Sequence, residues 1–207
     1  MTIRSVFWGS MSRRDEQRAE AKEKILAAAA ACFAEKGYSG CSVQDIAERA
    51  GVSKGALYVY YSSKEELFKA MIAIQYDRAL ERSTAARQCA SHLSGVIWFM
   101  SECIRNCDFP MDHRLWAEIL AVAARDPVIK NFFMTEDSEM RCIFAKQLQR
   151  AVLAGEIDAG LDLNATAIWL TALGDGLIIR AAEDPDFDFQ QHLPIFEQLV
   201  RKALAPK

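Results

Sequence analysis

Little in this sequence would interrupt a helix or build a catalytic centre. Proline occurs five times in 207 residues, and no segment alternates apolar and polar residues as a half-buried strand would, so the chain reads as all-α. It has no internal repeat and no low-complexity segment. The three histidines, His92, His113 and His192, fall in no catalytic spacing. No P-loop, nucleophile elbow or metal motif is present, which argues against an enzyme and leaves no cofactor to expect. The six cysteines (Cys32, Cys41, Cys89, Cys103, Cys107 and Cys142) include no CxxC pair and fall mostly on apolar helix faces, where reduced thiols act as small hydrophobes. No run approaches the ~18 apolar residues of a membrane span. The first residues, MTIRSVFWGS, lack a secretory apolar core, so a cytoplasmic protein with no membrane partner is expected. Met11 opens MSRRDEQ, which resembles an ordinary start. Residues 1–14 are therefore expected to be a loosely ordered extension whose Arg4, Arg13 and Arg14 are either solvated or near phosphates.

About half the residues are hydrophobic, enough to bury a core. The formal net charge is -3, but it is unevenly spread. Residues 1–64 carry ten Lys/Arg against seven Asp/Glu, and the remainder carries 15 against 21. A modestly basic end on an acidic chain hints at nucleic-acid contact there.

Within that basic end, Ser42–Lys64 reads SVQDIAERAGVSKGALYVYYSSK. Val43, Ile46, Ala47 and Ala50 form one helical apolar stripe, Ser42 is its N-cap, and Asp45 suits the helix N-terminus. Gly51 ends that helix and Ser53 caps the next almost at once. Two helices so close must cross steeply, which is the helix-turn-helix arrangement, with Lys54–Tyr60 as the reading helix. Helix N-termini at Ser42, Ser53 and Ser63 offer N–H groups and hydroxyls to phosphate. Lys54 is a long cation followed by the small Gly55 and Ala56, which allow close approach to the groove. Tyr58 and Tyr60 offer hydroxyls, and Lys64 a further cation. Tyr61 reads as packing.

Around this stretch, a first helix is expected over about Asp15–Lys36, closed by Gly37. A fourth starts at the Ser63/Glu66 capping box and completes a domain over 15–75. Helices are then expected over Ser91–Cys107, after a break at Asp108–Pro110 over Met111–Arg125, from Asp126-Pro127 to Ala154, over Leu163–Glu183, and finally to about Ala205. Pro194 either begins or kinks the last one. That makes about nine helices, with 76–207 as a second domain.

GYSGCSVQDIAERAGVSKGALYVYYSSKEELFKA resembles the N-terminal domain of TetR-family transcriptional regulators over roughly Ile25–Met71. The likeness lies in Gly37-Tyr38, Asp45-Ile46-Ala47, Ala50-Gly51-Val52-Ser53, Leu57-Tyr58 and Ser63-Lys64-Glu65. It implies a homodimer that binds a palindromic operator in double-stranded DNA, usually as a repressor. It places DNA contacts on Ser42, Lys54, Gly55, Ala56, Tyr58, Tyr60 and Lys64, to which the cap reading adds Ser53. Cys41 and Ala56 depart from the residues common in the family at those positions. Ala56 suits a thymine methyl. LWAEILAVAARDP and ALGDGLIIRAAE are similar to pieces of the BetI-like C-terminal domain.

The resemblance also implies an effector pocket in 76–207. The aromatic supply there suits an apolar or cationic small molecule, with Trp98, Phe99, Cys103, Trp116, Phe144, Trp169 and Asp175 as candidates. Asp175 interrupts an apolar run and needs a partner, either a cationic ligand or a structural hydrogen bond. Gly174 and Gly176 weaken a helix interior, as close approach of another helix would justify. Leu170, Gly174, Ile178, Phe196 and Leu199 are therefore the expected dimer contacts, with packing inside one chain as the alternative. Cysteine oxidation or metal binding, suggested by Cys103 and Cys107 on one face near His113, is the alternative signal.

Overall fold

The computed structural model describes residues 13–105 and 111–207. Arg4, Cys107 and the expected break at Asp108–Pro110 lie outside the described residues. Among those residues the chain forms nine α-helices and no strand. It divides into two compact units, the first ending at Phe68 and the second running Lys69–Lys207.

In the first unit, α1 (Arg13–Gly40) is interrupted at Gly37, whose φ of 71° and ψ of 163° suit glycine, so the expected stop after Lys36 is a kink inside a longer element. Next, α2 (Val43–Ala50) ends on Gly51 in the left-handed conformation, φ 68°. Ser53 then caps α3 (Lys54–Tyr60), its hydroxyl accepting from Ala56 N at 3.1 Å. The core joins Ile25, Ala29 and Phe33 of α1 to Ile46 and Ala47 of α2, Leu57 of α3, and Leu67 and Phe68. Three rings close it: Phe33–Phe68 centroids lie 5.3 Å apart, Phe33–Tyr38 5.7 Å and Tyr38–Phe68 4.7 Å. The unit boundary falls inside α4 (Lys64–Ala85), which runs past the expected end near residue 75. No glycine or proline occurs between Lys64 and Ser94 to stop it.

In the second unit, a 3₁₀ turn at Ala86–Gln88 leads to α5 (His92–Arg105), α6 (His113–Ala123), α7 (Pro127–Leu153), α8 (Leu163–Glu183) and α9 (Phe189–Leu204). Central in the bundle, α5 packs on α7, α8 and α9, while α8 also packs on α6 and α7. Asp112 caps α6, accepting from Leu115 N at 2.7 Å, which starts that helix two residues after the expected Met111. Asp126 and Pro127 start α7, and Gly155, φ 69°, follows its end. Asp188 caps α9, so Pro194 lies inside that helix, where it removes one backbone donor. Long-range polar ties brace the bundle. Glu156 accepts from Leu93 N at 2.6 Å and His92 N at 3.2 Å, satisfying the exposed amides of α5. Gln147 Nε2 donates to Ser83 O at 3.0 Å and to Ser83 Oγ at 2.7 Å.

Among the described residues one helix, α8, is long and apolar enough to cross a membrane by length and composition, with mean hydropathy 1.3, which corrects the expectation of no such run. Asp175 sits in it, and apolar side chains occupy both its buried and its exposed faces.

A Cβ added to Gly95 would lie 2.6 Å from Ala86 O, a backbone atom that cannot swing aside. Gly95→Ala should therefore destabilise the protein by about 1–3 kcal/mol, read as a lower denaturant midpoint by circular dichroism. Phe33→Ala, at the centre of the first unit, should cost about 3–5 kcal/mol in the same assay.

Candidate nucleic-acid interface and internal cavity

A polar rim and a short exposed helix make up the outer face of the first unit. Leu57 is fully buried and fixes the inward side of α3. The outward side then carries Lys54, Gly55, Tyr58 and Val59, with Val59 71% exposed, while Ala56 and Tyr60 are partly covered. Ser53, Lys54, Gly55 and Tyr58 thus share one accessible face at a capped helix start. Burial pushes the Tyr61 hydroxyl above the ordinary tyrosine value, in keeping with a packing role.

Two of the expected DNA contacts are engaged within the protein. The Ser42 hydroxyl donates to Asp45 and accepts from Asp45 N at 3.1 Å, while Ser42 N donates to Asp45 Oδ2 at 2.8 Å. Its hydroxyl proton is spent on the capping box. Lys36 also binds Asp45, and these bonds hold the Asp45 carboxyl well below the usual aspartate range. The contribution of this cap is fully present above the ordinary aspartate value of about 4 and is lost as pH falls through the lowered folded value. Lys64 Nζ donates to Tyr38 O at 2.7 Å and Cys41 O at 2.9 Å, and lies 4.4 Å from the Tyr38 ring centroid. Its ammonium braces the turn after the Gly37 kink. Nothing in the spacing of Lys64 announces that role. At Ser63 the hydroxyl accepts from Glu66 N at 3.1 Å.

Within the second unit lies a cavity of about 120 Å³. Phe99, Cys103, Trp116, Phe144 and Asp175 line it as expected. Two candidates do not: Trp98 is not in the lining, and Trp169 is 75% exposed on the outer side of α8. Leu170, Gly174 and Ile178, expected at a dimer interface, line the cavity instead, and Phe196 is buried beneath α9. A Cβ added to Gly174 would meet Ile104 of α5 at 3.5 Å, an ordinary van der Waals contact, so the neighbour facing this glycine is a helix of the same chain and no tight approach requires it. The large apolar side chains that remain accessible on these helices are Ile168, Trp169 and Leu173 of α8 and Ile195 and Leu199 of α9. An apolar helix with no polar face gives periodicity nothing to sort by, so the sequence pattern alone does not separate its inner from its outer side.

Phe133, part of the aromatic supply, lines the cavity too, which adds residues that the sequence did not single out as ligand contacts: Gln75, Tyr76, Asp137 and Arg141. Gln75 and Tyr76 sit at the expected domain boundary. Trp116 Nε1 donates to Asp175 at 3.0 Å. Burial raises the Asp175 carboxyl, the Trp116 bond opposes that shift, and nearby Asp137 adds to it. Asp137 is raised by burial too, against the lowering effect of Arg141, whose Nε lies 3.1 Å from Asp137 Oδ2.

Comparison with known proteins agrees with both units. Residues 25–71 match the bacterial regulatory proteins of the tetR family, and residues 110–205 match the BetI-type transcriptional repressor C-terminal domain. The chain is 30% identical over 186 residues to the HTH-type transcriptional repressor AcnR of Corynebacterium glutamicum, covering 87% of this chain and 93% of that one. To AcnR of Corynebacterium diphtheriae it is 28% identical over 187 residues, covering 88% and 92%. A TetR-family transcriptional regulator from Rhodococcus sp. superposes with a TM-score of 0.70 at 25% identity, covering 88% of this chain and 99% of that structure. An α3 presented on a capped turn, a separate helical unit with an internal cavity, and likeness along nearly the whole chain lead to one statement: the protein belongs to the TetR family of helix-turn-helix transcriptional regulators.

Proposed function

We propose that the protein is a cytoplasmic homodimeric repressor that holds a palindromic operator and releases it when a small molecule enters the cavity of the second unit. The observation that carries this reading is the pairing of two features in one chain. An exposed α3 face at Ser53–Tyr58 suits the major groove, and a buried, largely apolar cavity has an acidic group in its wall. Relatives described as repressors support the sign of regulation. Gln75 and Tyr76 of the cavity sit on α4, the helix whose first turn carries Lys64, which offers a covalently continuous route for the response.

On α3, Lys54 supplies the accessible cation, Gly55 and Ala56 permit close approach, and Ala56 and Val59 offer apolar contact to thymine methyls. Tyr58 and Tyr60 serve the flanking phosphates. Ser42 and Lys64 act mainly by holding α2 and the preceding turn in place. The dimer face is assigned to Ile168, Trp169, Leu173, Ile195 and Leu199, an apolar patch that pairing with a second copy would cover. Oxidation sensing finds less support at the DNA-binding end. Cys32 and Cys41 are buried, and burial pushes the Cys41 thiol up to about 12, far from a reactive thiolate.

Selection of bound duplexes from a random pool by the full chain should return a palindrome. Recovery of no enriched sequence contradicts the reading. Lys54→Ala should weaken binding to every duplex and reduce the slope of log affinity against log salt by about 1. Lys64→Met should lower the melting temperature and operator affinity together, because two backbone carbonyls lose their cation. Leu173→Glu should turn the dimer into a monomer in light scattering and weaken palindrome binding while half-site contacts persist.

A further inference from the structure

Three rings in the cavity wall face one another in a closed set. Tyr76 and Trp116 have centroids 6.4 Å apart, Tyr76 and Phe133 6.0 Å, and Trp116 and Phe133 6.1 Å, all tilted or edge-to-face. Such a set presents electron-rich surface to a cation. The charged groups in the lining are Asp137, Arg141 and Asp175. Asp137 and Arg141 neutralise each other, which leaves Asp175 as the unbalanced charge. Among the described residues it has the Trp116 indole N–H as its hydrogen-bond donor and no lysine, arginine or histidine as an ion-pair partner. A second acceptor is idle. Gln75 is 8% exposed, lines the same cavity, and its Oε1 has no hydrogen-bond partner. A buried acceptor left unpaired is unfavourable and rare in folded proteins.

Resting on the reading that this cavity takes the effector, we propose that the effector is a compact protonated amine, with Asp175 as counter-ion, Gln75 Oε1 accepting an ammonium N–H, and Tyr76, Trp116 and Phe133 around the cation and its hydrocarbon. Each part of the wall excludes an alternative. A carboxylate ligand would meet Asp175 with like charge. A neutral apolar ligand would leave that buried charge unpaired. A quaternary ammonium would satisfy Asp175 and the rings but carries no N–H, so Gln75 Oε1 would stay unpaired. The volume of about 120 Å³ limits the group to roughly one ring, since a dry cavity of about 150 Å³ in another protein holds benzene.

The test is calorimetric titration of the full-length protein with three probes of similar shape: benzylammonium, benzyltrimethylammonium and benzyl alcohol. Benzylammonium should bind once per protomer, at least tenfold more tightly than either analogue. Asp175→Asn keeps an acceptor for Trp116 but removes the charge, and should weaken benzylammonium at least tenfold. Gln75→Met should erase the preference for the primary over the quaternary ammonium. Benzyl alcohol binding as tightly as benzylammonium, or unchanged affinity in a folded Asp175→Asn protein, overturns the proposal. The probe comparison in the unsubstituted protein decides the matter even if a variant fails to fold. Duplex binding measured on the same preparation without amine separates the two readings. DNA binding with no amine binding sinks the ligand class and leaves the regulator. Amine binding with no selected duplex does the reverse.

Discussion

Seven residues of α3 cannot hold themselves in a helix. Two turns form few hydrogen bonds against the cost of nucleation, so an isolated peptide of that length is disordered in water. The helix Lys54–Tyr60 exists because Ser53 caps one end, Leu57 is fully buried in the first unit, and Gly51 turns the chain sharply into it. Everything else in the first unit serves that constraint. The Phe33–Tyr38–Phe68 rings close the core in which Leu57 is buried, and the Ser42–Asp45 box caps α2. The small, exposed reading surface is the part with the least packing of its own.

Lys64 shows how the same economy changes a residue's role. A cation at a helix N-terminus is poorly placed with respect to the helix dipole. Here it is tolerated because two carbonyls around the Gly37 kink, those of Tyr38 and Cys41, take its protons and the Tyr38 ring shields one side. The charge thus ties the end of α1 to the start of α4. In the second unit α8 performs two tasks at once. Its inner side, with Leu170, Gly174, Asp175 and Ile178, walls the cavity, and its outer side, with Ile168, Trp169 and Leu173, is apolar and exposed.

What was legible in the sequence follows from how local each signal is. Caps at Ser42, Ser53, Asp126 and the glycine stops at Gly51 and Gly155 depend on a few neighbouring residues, and they stand where the spacing puts them. The reading helix has its expected bounds for that reason. The engagement of Lys64 joins residues 26 and 23 positions apart, so no spacing rule could reveal it. Sorting α8 failed for a different reason: apolar residues surround the whole helix, and only tertiary packing separates Trp169 outside from Leu170 inside. Asp175 was conspicuous because it is alone among apolar neighbours. Gln75 and Tyr76 were not, because α4 runs through the expected domain boundary without a stop signal.

The central claim is that the capped α2–α3 pair, residues 42–61, is the surface that meets DNA. Amide hydrogen exchange on the full-length protein, with and without its selected duplex, tests it directly. The free protein should exchange rapidly along α3, whose two turns lack the packing that slows longer helices. The duplex should slow exchange most strongly at the amides of residues 53–60 and at the first turn of α2. Unchanged exchange across residues 42–61 on a saturated complex, with protection confined to the second unit, would contradict the account.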